Sequence, residues 1–211
     1  MVPGFFLLPF MIIVIMKWRQ RPTYIKMLGI FGGVSVIAFV IQYAMILVLH
    51  IPRGNNFVYN CYILFEVIFL LLIFYVVFTS RQSRRIILIS IVLYFIMWLA
   101  DVVYHGFWNL NSYARSGGSI LLIWISISFF YTLIRDLPAQ RIFKFPMFWL
   151  ATAVLGYNAG IFIFFVLLEY LVVVLNNDLM YYWTFQTLLR TIFNLFLIVC
   201  VWQDLRNHRQ S

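Results

Sequence analysis

From Ile63 to Phe78 the chain is apolar on every face that a helix could present, and Glu66 is the lone charge in sixteen residues. Such a segment has no polar side to turn toward water. In a bilayer it is stable, because a helix satisfies its own backbone hydrogen bonds while its side chains meet lipid. Transmembrane strands would need short segments of alternating polarity, and this one does not alternate. Comparable stretches recur near residues 3–16, 27–49, 57–78, 86–105, 117–134, 147–175 and 181–202. A hydrocarbon core is crossed by about 20 such residues. Of the 211 residues 65% are apolar and 10% charged, where a soluble domain carries about 25% charge. The expected fold is all-α: one polytopic membrane helix bundle over residues 1–211, with seven transmembrane helices.

The formal charge of +9 is arranged as a topology signal. Lys17, Arg19, Arg21 and Lys26 follow the first span; Arg81, Arg84 and Arg85 follow the third. Arg135, Arg141 and Lys144 follow the fifth, and Arg206 and Arg209 the seventh, whereas the opposite loops hold only Arg53 and Arg115. Short basic loops stay in the cytoplasm, which predicts the N-terminus outside, the C-terminus cytoplasmic and a multi-pass protein of the inner (cytoplasmic) membrane. Nucleic acid is not an expected partner, because the positive charge is dispersed over four short segments instead of lining one face. The lipid bilayer is the expected surrounding, with anionic lipid against the inner loops.

The first span is the weakest. Met1 to Met16 makes about 24 Å of helix and contains Pro9, and its basic residues follow the apolar run where a secretory signal would place them first. It reads as a retained helix, with a re-entrant segment and six full spans as the alternative. Cys61 and Cys200 fall near opposite ends of their spans, so no disulfide is expected between them. The connections are short, Gly106 to Gly117 being twelve residues, and leave no room for a soluble output domain. A signal would have to leave through a partner protein.

Arg190 lies inside the last span, where a guanidinium costs roughly 3 kcal/mol on insertion scales. Tyr182, Gln186, Arg190 and Asn194 recur every fourth residue and share one stripe of a helix. The orientation predicts a depth for each polar group: Asn60 near the outer end of its span, and Glu66 and Arg190 both about 14 Å down. Asp101 and His105 are four apart and lie on one face near the outer end of the fourth span. Asn158 and Glu169 are three turns apart and point the same way. The outer half thus collects the polar side chains, the inner half is almost wholly apolar, and depth makes Glu66 the preferred counter-ion of Arg190. Structural alternatives stand beside this: an ion pair that sets helix register, snorkelling of Asp101, His105 and Glu169, and an interfacial belt that includes Tyr104, Trp108, Tyr113 and Tyr181 to Trp183. Close helix packing explains Gly29 to Gly33 and Gly156 to Gly160.

His50, His105, Asp101 and Glu169 leave a mixed zinc site as an alternative. No H-E-x-x-H, G-x-S-x-G or glycine-rich phosphate loop is present. Lys17, Lys26 and Lys144 all fall in loops, so no span offers the amine of a retinal Schiff base. The expectation is no metal, no cofactor and no catalytic residue.

The run Asn55-Asn56-Phe57-Val58-Tyr59-Asn60-Cys61-Tyr62 leads to Glu66. Pro146-Met147-Phe148-Trp149 leads to Tyr157-Asn158-Ala159-Gly160, and Trp183 is followed by Arg190 and Asn194. These features, from about Arg53 onward, resemble a family of small bacterial seven-helix membrane proteins. That family is similar to the membrane-sensing half of seven-helix histidine-kinase receptors, without the kinase. The resemblance implies a sensor and names no catalytic signature.

The expected function is a membrane sensor or ligand-binding module with an outward-facing pocket among the third, fourth, sixth and seventh spans. Arg190 would meet the negative group of a small anionic or amphipathic ligand, and Glu66 would hold Arg190 when the site is empty. Output would pass through a signalling partner protein. A transporter exchanging Glu66, Asp101 and Arg190 pairs is one alternative, opposed by the apolar run Leu195 to Cys200. An interfacial lipid-modifying enzyme with Asp101 and His105 as acid and base is the other.

Overall fold

A computed structural model describes residues 7–16, 18–47, 54–109, 112–136, 139–169 and 179–210. Among them the chain forms seven α-helices: α1 (Leu7–Ile15), α2 (Thr23–Leu47), α3 (Gly54–Val77), α4 (Arg81–His105), α5 (Ser112–Asp136), α6 (Pro146–Glu169) and α7 (Leu179–Gln210). Six of these, α2 to α7, are long and apolar enough to cross a membrane, so the chain is a multi-pass helical membrane protein. The nine residues of α1 extend only about 14 Å. Of the seven expected spans, six stand as candidate spans among the described residues, and the first is a short helix there.

Contacts divide the chain into two compact units, Arg21–Leu121, and Met1–Gln20 with Leu122–Ser211; the boundary falls inside α5. In the Arg21–Leu121 unit α2 packs on α3 and α3 on α4. Only Phe78, Thr79 and Ser80 join α3 to α4, which makes the two helices antiparallel neighbours. Arg84 Nε donates to the Phe78 carbonyl at 2.6 Å, and its guanidinium lies 5.5 Å from the Tyr75 ring centre. A cation there meets the negative end of the α3 dipole. The buried face of α4 is Ile87, Ser90, Tyr94, Trp98, Asp101 and Val102, spaced as one stripe of an amphipathic helix. Its other face, with Ile89, Val92, Ile96 and Val103, is exposed and apolar, as lipid contact requires. α4 stops at Gly106, whose φ of 83° suits glycine and whose N–H bonds the Val102 carbonyl at 2.8 Å.

Glycine also sets the approach of α5. A Cβ on Gly118 would lie 2.8 Å from Val67 Cγ2 and 2.9 Å from Tyr94 Cε2, so side chains of α3 and α4 press on the α5 backbone. In the other unit α6 and α7 make the most extensive helix contact, and α1 packs on α7. A Cβ on Gly160 would meet Leu189 Cδ1 at 2.7 Å, whereas one on Gly156 would meet open space. The expected packing role of this glycine pair therefore rests on Gly160 alone. Hydroxyls inside the spans bond carbonyls one turn back in their own helices: Ser119 to Arg115, Thr152 to Phe148 and Thr191 to Thr187. That is the local answer to the absence of water.

The two glycine environments predict opposite signs. Gly118→Ala is expected to lose about 1–3 kcal/mol through overpacking, and Gly156→Ala to gain up to about 1 kcal/mol from helix propensity. Thermal unfolding of the two variants in one detergent checks this, and a lower melting temperature for Gly156→Ala would contradict it.

Candidate functional site

The Arg21–Leu121 unit gathers polar side chains where the start of α3, the end of α4 and the start of α5 meet. Asn60 is buried, and its Nδ2 donates to the carbonyls of Phe107 at 3.1 Å and Asn109 at 2.8 Å. Asn56 Nδ2 donates to the Trp108 carbonyl at 3.0 Å. Three successive carbonyls of the α4–α5 turn, which no helix satisfies, are thus held by two asparagines of α3. The Trp98 indole N–H in turn donates to the Asn60 carbonyl at 3.1 Å, and Asn109 Nδ2 donates to the His105 carbonyl at 2.6 Å.

Asp101 joins two of these elements. Its Oδ2 accepts the Ala114 N–H at 2.7 Å, and its Oδ1 is 2.7 Å from Nδ1 of His105. Ala114 is the third residue of α5, one of the helix-start amides with no partner in its own helix, and a carboxylate there also meets the positive end of the dipole. The Asp101 side chain is 1% exposed, whereas the His105 side chain is 33% exposed. The imidazole is bracketed by the rings of Tyr104, 4.8 Å away and edge-on, and Tyr113, 5.4 Å away and tilted. Tyr104, Phe107, Trp108 and Tyr113 are all exposed, and the first and last of them flank the imidazole.

Deeper in the same unit Arg115 Nη1 donates to Glu66 Oε2 at 2.8 Å, with both side chains 2% exposed. The counter-ion that the structure shows for Glu66 is therefore a residue the sequence reading had placed in a loop, and that placement is corrected. α5 begins at Ser112, because Asp101 caps it and because Gly117 and Gly118 serve helix packing instead of ending a loop. Tyr94 lies within electrostatic reach of Arg115, Glu66 and Asp101. Its hydroxyl is buried with no hydrogen-bond partner among the described residues.

The remaining expected site residues belong to the other unit. Arg190 Nη1 donates to the Tyr157 hydroxyl at 3.0 Å, and its guanidinium lies 5.3 Å from the Tyr157 ring centre and 5.7 Å from that of Phe193. These π faces answer part of its charge inside the span. Asn158 Nδ2 donates back to the Val154 carbonyl at 2.8 Å, Asn194 is buried and Gln186 is half-buried. The side chains of Glu169 and Tyr182, and all of His50, lie outside the described residues. Among the described residues no three His, Cys, Asp or Glu side chains gather as a metal site. Both cysteines are free thiols.

Sequence reasoning paired Asp101 with His105 by spacing alone, but it missed Arg115, Tyr94 and Trp98, together with the buried Arg21 and Asp204. A signal for Arg115 existed: Ser112, Arg115 and Ser119 recur at helical spacing just before an apolar run. Comparison with protein-family models, curated proteins and solved structures returns no match, so no family is assigned.

The buried pair makes a sharp stability prediction. Glu66→Met or Arg115→Leu is each expected to destabilise by about 3–5 kcal/mol, because the charge left behind has no water. Combining Glu66→Met with Arg115→Leu is expected to recover most of that loss. Denaturation of the four forms as a cycle checks it, and strictly additive losses would rule the coupling out.

Proposed function

We propose that the protein is a membrane sensor or ligand-binding module whose receptor site is the polar end of α3, α4 and α5, and whose output passes through a partner protein. The observation that carries this reading is a buried hydrogen-bonded network that leads to the partly exposed imidazole of His105. Asn60, Asp101 and the Glu66–Arg115 pair hold their neighbours in place, and His105 is the group they present. Rigid support of an accessible polar group is how binding sites are preorganised. We take α3, α4 and α5 for the site, where the sequence alone suggests the third, fourth, sixth and seventh spans. Arg190, held over Tyr157 and Phe193, keeps the role of a candidate anion contact within its own unit.

The charge distribution supports an outward-facing position for this end. With Arg115 inside α5, the segment 106–111 carries no basic residue, whereas Arg81, Arg84 and Arg85 lie in the first turns of α4 and Arg135 in the last turn of α5. Short basic segments stay cytoplasmic. A fluorescent protein fused after Ser211 is expected to light up in the cytoplasm, and a phosphatase inserted between Asn109 and Leu110 to be active outside. Activity in the reverse pattern would invert the topology.

Ligand binding is tested by thermal unfolding of purified protein against a panel of amphiphiles. A ligand held at about 100 times its Kd should add about 2.7 kcal/mol of stability, which is a rise of roughly 5–10 °C for a chain of this size. The rise is expected in wild type and lost in His105→Phe. A shift that survived in His105→Phe, or none with any amphiphile, would refute the reading.

A further inference from the structure

We propose that Asp101 locks His105 as the Nδ1–H form, so that the Nε2 lone pair is the recognition element and takes a hydroxyl-bearing amphiphile, of the monoacylglycerol class, at the membrane interface. This rests on the receptor reading above and names its ligand. A carboxylate has acceptors only, so the 2.7 Å contact to Oδ1 is donated by Nδ1–H. The other oxygen is occupied by the Ala114 amide, which leaves the carboxylate no freedom to turn away. In the neutral ring the lone pair is then on Nε2, and the carboxylate behind the ring strengthens it as an acceptor. Among the described residues no hydrogen bond reaches Nε2.

The surroundings select the ligand. Among the described residues, the charged and titratable groups that face the imidazole are Asp101 on its own helix, the neighbouring Tyr104, and Tyr113 of α5. The negative carboxylate of Asp101 disfavours an anionic headgroup at this spot, and among the described residues the neighbouring Arg115 is engaged by Glu66. A neutral donor fits. Exposed Tyr104, Phe107, Trp108 and Tyr113 form the kind of aromatic rim that sits at headgroup level, where the hydroxyls of an amphiphile lie.

The test uses full-length protein in lipid nanodiscs, with monoolein as the hydroxyl-bearing probe and methyl oleate, the same chain without hydroxyls, as its control. Nitrogen NMR of histidine-labelled protein, with the His105 signal assigned from a His105→Gln sample, reads which ring nitrogen carries the proton. Nε2 is expected to be unprotonated in wild type. Monoolein is expected to bind saturably and to shift Nε2, with methyl oleate about fivefold weaker, the worth of one neutral hydrogen bond. In His105→Phe, which has no acceptor, the two probes should bind alike. Asp101→Asn should keep α5 capped through its amide oxygen and turn its NH2 toward Nδ1, reversing the tautomer and removing the preference for monoolein. A proton on Nε2 in wild type, or equal affinity for the two probes there, would overturn the ligand assignment while leaving a receptor site. Saturable binding of neither probe, with no amphiphile perturbing His105, would overturn the receptor reading with it.

Discussion

The carboxylate of Asp101 is the hinge of the polar end of the Arg21–Leu121 unit. One oxygen answers a helix-start amide of α5 and the other fixes the imidazole of His105. Remove it and two groups are stranded at once in a place where stranding is costly. The start of α5 would then have no cap from α4, and Arg115, the residue after Ala114, would lose the position from which it reaches Glu66. The turn between α4 and α5 depends on the same logic from the other side, since Asn56 and Asn60 hold the carbonyls that Asp101 cannot reach.

The Glu66–Arg115 pair adds specificity more than stability. Bringing both charges out of water costs several kcal/mol per ion, on the order of what their attraction returns. What the pair does provide is a unique arrangement: Glu66 sits on α3 and Arg115 on α5, and a slip of either helix by one residue would bury two opposite charges without contact. The same selection operates sterically at Gly118, where Val67 and Tyr94 admit no side chain.

Much of this was readable from residues alone. Long apolar runs marked the membrane helices, because no other structure tolerates such segments, and the spacing of four marked Asp101 and His105 as neighbours. Arg115 was not readable in the same way. Its pairing spans 49 residues and is tertiary, and Gly117-Gly118 resembles loop punctuation unless one knows that Tyr94 packs on it. Depth matching of Glu66 with Arg190 did not weigh Arg115, which lay hidden by that misplaced helix start. Pro9 and the short first apolar run did foreshadow a first helix unlike the rest, whereas nothing in the spacing of Asp204 or Arg21 announced their burial.

The order of Glu66 and Arg115 along the chain also bears on how the protein is made. A ribosome delivers α3 before α5, so the carboxylate is already in the bilayer when the guanidinium emerges, 49 residues later. The segment carrying Arg115 therefore partitions into a membrane that contains its counter-ion, and the insertion penalty of a lone arginine is never met in full. Biogenesis of the fifth helix is in this sense templated by the third, with α4 as the tether that keeps the two within reach.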